Sequence, residues 1–372
     1  TSGKASDNSD NKREKLAQQE VRDNYLNYCA GCHGENLEKF QKADWMYGDS
    51  DQAAFNSIKH GQDEMGMPAF EETFADEEIR ALATYIRSEV PRDLEQAKPA
   101  LTFESVVRTK KQAFIIDTVV TGLDIPWGME FLPNGDMLIA EREGILYRYT
   151  SGRLETIAGL PDILAKGQGG LLDLRLHPEY TKNGWLYFAY SQPSPENQRE
   201  GCTAIMRARL DGNSLVDQEV IFDGKPDSRR GHHWGCKLQF DRKGYLWFGI
   251  GDRGDRDANP QTLENHAGKI HRIHDDGSIP EDNPFVNTPG AMPSIYSYGH
   301  RNPQGTTMHP VTDEIWETEH GPRGGDELNV IRKGRNYGWP VITYGINYSG
   351  TKITDLTEKE GMEQPVIYWT PS

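Results

Sequence analysis

The 372-residue sequence predicts a multidomain chain, a small all-α domain followed by an all-β propeller. Three features carry that prediction. Cys29-Ala30-Gly31-Cys32-His33 sits within helical periodicity, a hairpin pattern recurs four times after Phe114, and a Pro-bearing segment of mixed charge separates the two regions.

Residues 1–19 are polar, charged and free of aromatics, which predicts a disordered leader. The all-α domain spans residues 20–90. Glu20 to Tyr28 forms a helix into the cysteine motif, and Asp76 to Glu89 places Ile79, Leu82, Ala83 and Ile86 on one stripe. C-x-x-C-H is the attachment pattern of a c-type haem, with a thioether to Cys29, another to Cys32, and His33 on the iron. A thiol redox pair and half a zinc site are the rival readings of C-x-x-C, and neither calls for a histidine directly after the second cysteine.

A second iron ligand lies in the polar loop Gly61 to Phe70, which carries Met65 and Met67. A thioether on iron gives an apolar side chain a reason to be there, and His/Met ligation raises the haem potential as an electron carrier needs. Met67 is preferred to Met65 because Pro68 fixes the backbone beside it. The run Met67-Pro68-Ala69-Phe70 also resembles the distal loop of small bacterial cytochromes c. The alternative makes both methionines core fillers. A covalently held haem would complete a core that is thin for a domain of this length, a cytochrome c domain on this reading.

Residues 91–111, with Pro91 and Pro99, form a linker, and residues 112–372 form the propeller. Phe131-Leu132-Pro133-Asn134-Gly135-Asp136-Met137 opens the repeat and Phe240-Asp241-Arg242-Lys243-Gly244-Tyr245-Leu246 copies it closely. Looser copies begin at Leu176 and Met308, so the spacings are 45, 64 and 68 residues. Each copy is a strand, a tight turn and a strand, and such spacings suit propeller blades with insertions. A β-sandwich is the alternative, but gives no reason for self-similar hairpins. Pro365 to Ser372 reads as the entry to a further blade, which makes the chain a fragment lacking its last blades.

The net charge of -16 argues against nucleic acid or an anionic membrane as partner. No run of about twenty apolar residues exists to span a bilayer. The absence of a signal peptide and of an initiator methionine suggests a processed or trimmed chain. Haem c attachment points to a periplasmic or otherwise exported location. Cys202 and Cys236 form either a disulfide or two buried thiols, and their spacing does not decide.

Chemistry-bearing residues cluster between the repeats. Gly231-His232-His233-Trp234-Gly235-Cys236-Lys237 heads the third copy and Arg301-Asn302-Pro303-Gln304 the fourth. Glu319-His320-Gly321-Pro322 follows the fourth copy, and Lys166-Gly167-Gln168 opens the second. They offer a histidine base, a fixed cation, amide groups and carbonyls able to face a hard cation. Asp252, Asp255 and Asp257 could form a calcium loop, although Asp-rich turns are usually only turns. His271, His274 and His320 read as packing or hydrogen-bonding residues, and Trp127 and Trp234 as core or channel lining.

With Gly249-Ile250-Gly251-Asp252-Arg253-Gly254-Asp255, Gly268-Lys269-Ile270, Glu281-Asp282-Asn283-Pro284-Phe285 and Asn336-Tyr337-Gly338-Trp339-Pro340, these loops resemble the soluble pyrroloquinoline-quinone (PQQ) aldose dehydrogenases from about Phe114 to Ser372. That resemblance implies a six-bladed propeller oxidising the anomeric hydroxyl of sugars. It implies His233 as general base, Arg301 as the cation at the quinone oxygen, Gln168 and Asn302 on the cofactor's edge, and Ca²⁺ on the carbonyls of Gly321 and Pro322. Cys236 and Lys237 depart from the family's small residue and arginine. The family's further basic cofactor ligands lie beyond Ser372. A tethered haem c would drain reduced PQQ one electron at a time, with a downstream acceptor protein or respiratory chain component taking the electrons on. Two other classes remain open: a cytochrome-propeller reductase with a second, non-covalent haem, and a non-catalytic binding propeller.

Overall fold

The computed structural model describes residues 18–35, 37, 40, 45, 47, 48, 50–89 and 106–372. They form two compact units, the bulk of the first ending at Thr121 and the bulk of the second running from Gly122. Most of the predicted leader and linker lies outside the described residues.

The first unit is helical apart from a two-stranded ribbon of Val107–Arg108 and Ala113–Phe114. A helix over residues 18–28 leads into the short helix Ala30–His33, and Asp51–His60 and Asp76–Glu89 pack on each other. Ser50 starts the helix Asp51–His60, its hydroxyl accepting from the Ala53 amide at 3.1 Å. Asp76, Glu77 and Glu78 favour the positive end of the last helix. Its stripe Ile79, Leu82, Ala83 and Ile86 is buried as the periodicity predicts, against Tyr25, Phe55, Ile58, Phe70 and Phe74.

The second unit holds four four-stranded antiparallel sheets, each a meander in chain order. The first is Pro126–Phe131, Met137–Glu141, Ile145–Thr150 and Arg153–Ile157. Leu171–Leu176, Leu186–Pro193, Gly201–Asp211 and Ser214–Asp223 make the second. The third is Gln239–Phe240, Leu246–Ile250, Lys269–Ile273 and Ile295–Tyr298. Pro303–Met308, Ile315–Glu319, Asp326–Val330 and Ile367–Trp369 complete the fourth. These are propeller blades, and every predicted hairpin copy joins the first two strands of one.

The two close copies share a turn. Phe131 pairs with Met137 and Phe240 with Leu246, and the Gly135 and Gly244 amides bond back to the carbonyls of Leu132 and Asp241. Both glycines hold φ near +90°, where a side chain would be strained. Pleat alternation then sorts the core. Along Leu186–Pro193, Leu186, Phe188 and Tyr190 pack toward the first sheet with Leu138, Leu146 and Leu174. Tyr187 and Ala189 point the other way, into a core with Trp234, Phe240 and Phe248 of the third. Trp247, Ile270, Ile315 and Tyr337 form a further core between the third and fourth sheets.

One strand differs from expectation. Ile367–Trp369 does not enter a further sheet; it pairs with Asp326–Leu328 and closes the fourth. The intervening residues 331–366 carry no strand, so this pairing is long-range and leaves no local pattern.

Candidate functional site

In a meander the first strand begins, and the second ends, at the same end of the sheet. That places the site. Gln168 precedes Leu171–Leu176, His233 precedes Gln239–Phe240, and Arg301 and Asn302 directly precede Pro303–Met308. Asp252 follows Leu246–Ile250, and Gly321 and Pro322 follow Ile315–Glu319. Residues scattered from 168 to 322 therefore share one end of their sheets.

His233 stands at the centre. Its backbone has φ +57°, and a Cβ on Gly251 would come within 2.4 Å of its carbonyl oxygen, so the neighbouring strand can pass only as glycine. The Gln168 Oε1 accepts from the His233 amide at 2.8 Å, and Asn302 Oδ1 accepts from the Gly235 amide at 3.3 Å. These two side chains fix the loop carrying the histidine.

The imidazole is oriented by Asp252. His233 Nδ1 lies 2.6 Å from Asp252 Oδ1, which also accepts from the Gly254 amide at 2.7 Å, while Oδ2 accepts from Trp339 Nε1 at 2.8 Å. The Asp252 amide donates to the Arg301 carbonyl at 2.7 Å. Burial opposes the charge on Asp252, yet His233, Arg301 and the Gly254 amide outweigh it and hold the carboxyl well below its usual range. Burial and the Arg301 charge hold His233 below its ordinary value, against the pull of Asp252. At neutral pH the ring is thus uncharged, with Nδ1–H on the carboxylate and Nε2 carrying the lone pair a base needs.

Arg301 is held as a fixed cation. Its amide donates to Glu319 Oε2 at 2.5 Å and its Nη1 to the His320 carbonyl at 3.0 Å. Its Nε is buried and has no partner among the described residues. A buried guanidinium N–H without an acceptor marks a place for an oxygen-bearing, electron-rich ligand. Arg301, His320, Gly321, Pro322 and Trp339 line one small cleft. The carbonyls of Gly321 and Pro322 accept no backbone hydrogen bond among the described residues, which fits oxygen ligation of a hard cation.

Other predicted positions resolve differently. Asp255 and Asp257 are exposed while Asp252 is buried, so the three do not share a site. His271 is buried, bonded to Ser294 and the His266 carbonyl, and Trp234 and Trp127 pack in the core between the second and third sheets. His274 packs on Tyr245, and His320 Nε2 pairs with Gln304 at 3.0 Å. Cys202 and Cys236 are free, buried thiols, Cys202 donating to Asp223 at 3.0 Å.

Trp339 and a group of carboxylates had no assigned role in the sequence, and Asp252 was read there only within a candidate calcium loop. Asp252 and Trp339 stand in motifs that were plain to read, without any local sign that they meet. The carboxylates are the buried Glu317 and Glu319 and the half-buried Glu327, each with an oxygen 3.3 Å from Asn329 Nδ2. Burial and mutual repulsion push Glu317 up and Glu327 to about 8. His300, beside them, already has both ring nitrogens engaged, by Glu319 and Ser297.

In the helical unit, Cys29 is partly buried and Cys32 exposed at the start and middle of a single turn, and the His33 ring stacks on Phe40 with centroids 4.5 Å apart. Burial, then the nearby Cys32, pushes the Cys29 thiol up to about 12. Such a thiol is a poor nucleophile. Met67 packs against the same core as Cys29, Tyr28 and Tyr85. Its loop is closed by paired backbone bonds between Gln62 and Met67, of 2.8 and 3.2 Å.

Comparison with known proteins agrees with this architecture. Residues 123–372 match the Glucose / Sorbosone dehydrogenase family, and residues 17–86 match the family described as cytochrome c oxidase, cbb3-type, subunit III. An uncharacterised protein of Synechocystis sp. is 43% identical over 274 residues, covering 68% of this chain and 66% of the relative. The aldose sugar dehydrogenase YliI of Escherichia coli is 39% identical over 279 residues, covering 74% and 75%. The PQQ-bound aldose sugar dehydrogenase of Streptomyces coelicolor superposes with a TM-score of 0.58 at 32% identity, covering 68% of this chain and 70% of that one. The chain thus spans from 66% to 75% of the length of these relatives. With its blades and the loops at one end of them, it belongs to the glucose/sorbosone dehydrogenase family of PQQ-type oxidoreductases, joined to an N-terminal cytochrome c domain.

Proposed function

We propose that this chain is a quinoprotein that oxidises the anomeric hydroxyl of aldose sugars to the lactone and passes the electrons to a covalently attached haem c. The observation that carries the reading is the oriented, neutral His233 beside Arg301, whose buried Nε has no acceptor among the described residues. Oxidation removes two protons and two electrons from the sugar. His233 Nε2 takes the hydroxyl proton, and Asp252 stabilises the imidazolium that forms. Arg301 meets the negative charge that develops opposite.

PQQ, held by Gln168, Arg301 and Asn302 and by a Ca²⁺ on Gly321 and Pro322, would accept the hydride when bound. Cys29 and Cys32 would hold the haem, with His33 and Met67 on its iron. Support comes from the Escherichia coli relative, an aldose sugar dehydrogenase, and from the PQQ-bound Streptomyces structure. We also read the four sheets as members of a six-bladed ring. The compartment on this reading is the periplasm or its equivalent, and a further acceptor protein drains the haem.

The test is the visible spectrum of the oxidised chain, loaded with PQQ and Ca²⁺, before and after glucose. Sharp reduced c-type bands are expected, and His233→Ala should lose them while dithionite still reduces the haem. If dithionite reduces the unaltered chain but no aldose does, the reading is overturned.

A further inference from the structure

Asp252 makes two different kinds of contact, and only one of them faces the base. Oδ1 serves His233 and the Gly254 amide; Oδ2 has the Trp339 indole N–H at 2.8 Å. Trp339 is itself anchored on both sides. Its amide donates to the Gly299 carbonyl at 2.9 Å, and its carbonyl accepts from Gln261 Nε2 at 2.8 Å. Gln261 in turn exchanges bonds of 2.8 and 3.1 Å with Asn336. The Arg301 guanidinium carbon lies 5.4 Å from the Trp339 ring centroid. One buried indole, 7% exposed, therefore touches both the carboxylate that orients the base and the fixed cation.

We propose that Trp339 is a positioning residue of the site: its N–H locks the Asp252 carboxylate in the rotamer that aligns His233, and its ring braces Arg301. The inference rests on His233 being the base of the proposed reaction. The physical consequence is specific. A hydrogen bond to a carboxylate stabilises its charge and lowers its hold on a neighbouring proton. With the indole donor removed, Asp252 leans more strongly on the His233 proton, and the imidazolium is favoured. The other groups acting on His233, namely Arg301, Arg253 and His232, stay in place.

The experiment uses the full chain labelled at histidine and tryptophan nitrogens, read by NMR across the acid range, with no substrate present. In the unaltered chain the Trp339 Nε1–H resonance should move through the same midpoint as His233. Trp339→Phe should shift the His233 midpoint to higher pH by about half a unit or more. In an Asp252→Asn background the same substitution should change nothing further. A Trp339 resonance blind to the His233 titration overturns the inference, and that observation needs no substitution. So does an unmoved midpoint in folded Trp339→Phe.

Sugar turnover is measured on the same preparations. Trp339→Phe should lower kcat about tenfold with little change in KM, and the acid limb of its pH profile should move upward with the NMR midpoint. Coupled resonances in a chain that oxidises no sugar uphold the positioning role while refuting the proposed function. A fall in kcat with an unshifted acid limb refutes the positioning role alone.

Discussion

Buried carboxylates in this chain are tolerated where donors meet them, and Asp173 shows the terms. It is fully buried, with Lys237 Nζ 2.6 Å from Oδ1 and the Leu238 amide 2.8 Å from Oδ2. Burial still outweighs Lys237, so its folded pKa is raised. A raised folded pKa means that stability is fully present below the unfolded value and lost as pH rises through the folded one. Lys237→Ala leaves the carboxylate without its counter-charge and should cost about 3 kcal/mol at neutral pH, the low end for a buried pair because Lys237 is partly exposed and the Leu238 amide remains. The deficit should close as pH falls below about 4, where Asp173 is protonated in both states. Urea unfolding at several pH values measures it, and a deficit independent of pH would refute the account. Lys237 was legible as a departure from its family, whereas Asp173, 64 residues earlier, was not. The same holds for His233 and Asp252: the histidine stands out by its Gly-flanked loop, its partner hides in an Asp-rich turn.

At the scale of elements, what is local is legible. The helical stripe of Asp76–Glu89 and the Phe-x-x-x-Gly turns are written in contiguous residues, and the structure returns them at the same positions. Outer strands are harder to read. Gly201–Asp211 is buried throughout residues 201–206, while Ser214–Asp223 is exposed throughout residues 217–220, so neither shows a clean apolar alternation. The loop after Asp51–His60 falls between these cases. A Cβ on Gly61 would sit 2.6 Å from the Met67 carbonyl oxygen, which explains why glycine opens the loop. Its closing bonds present Met67 to the core, while Met65 ends the short 3-10 turn Asp63–Met65 outside that core. On the proposed His33/Met67 ligation, Met67→Ala should lower the haem midpoint potential, since such ligation raises it, and Met65→Ala should leave it unchanged. Potentiometric titration distinguishes them, and the reverse pattern would reassign the ligand.

The whole chain carries a helical unit and a blade unit on one polypeptide, and that fact sets a kinetic expectation independent of how the two are arranged. A tethered acceptor meets its donor at an effective concentration fixed by the chain, not by the solution. Separate molecules carrying a net charge of -16 repel, so encounters between copies are slow at low salt and quicken as salt screens them. Intramolecular transfer shows neither dependence on protein concentration nor that acceleration. In stopped flow, with PQQ, Ca²⁺ and excess aldose, the observed rate of haem reduction should stay constant over a hundredfold dilution. A rate proportional to protein concentration, rising with salt, would mean that electrons cross between molecules. The cytochrome domain would then be an acceptor for other copies, and the fusion would serve delivery instead of direct transfer.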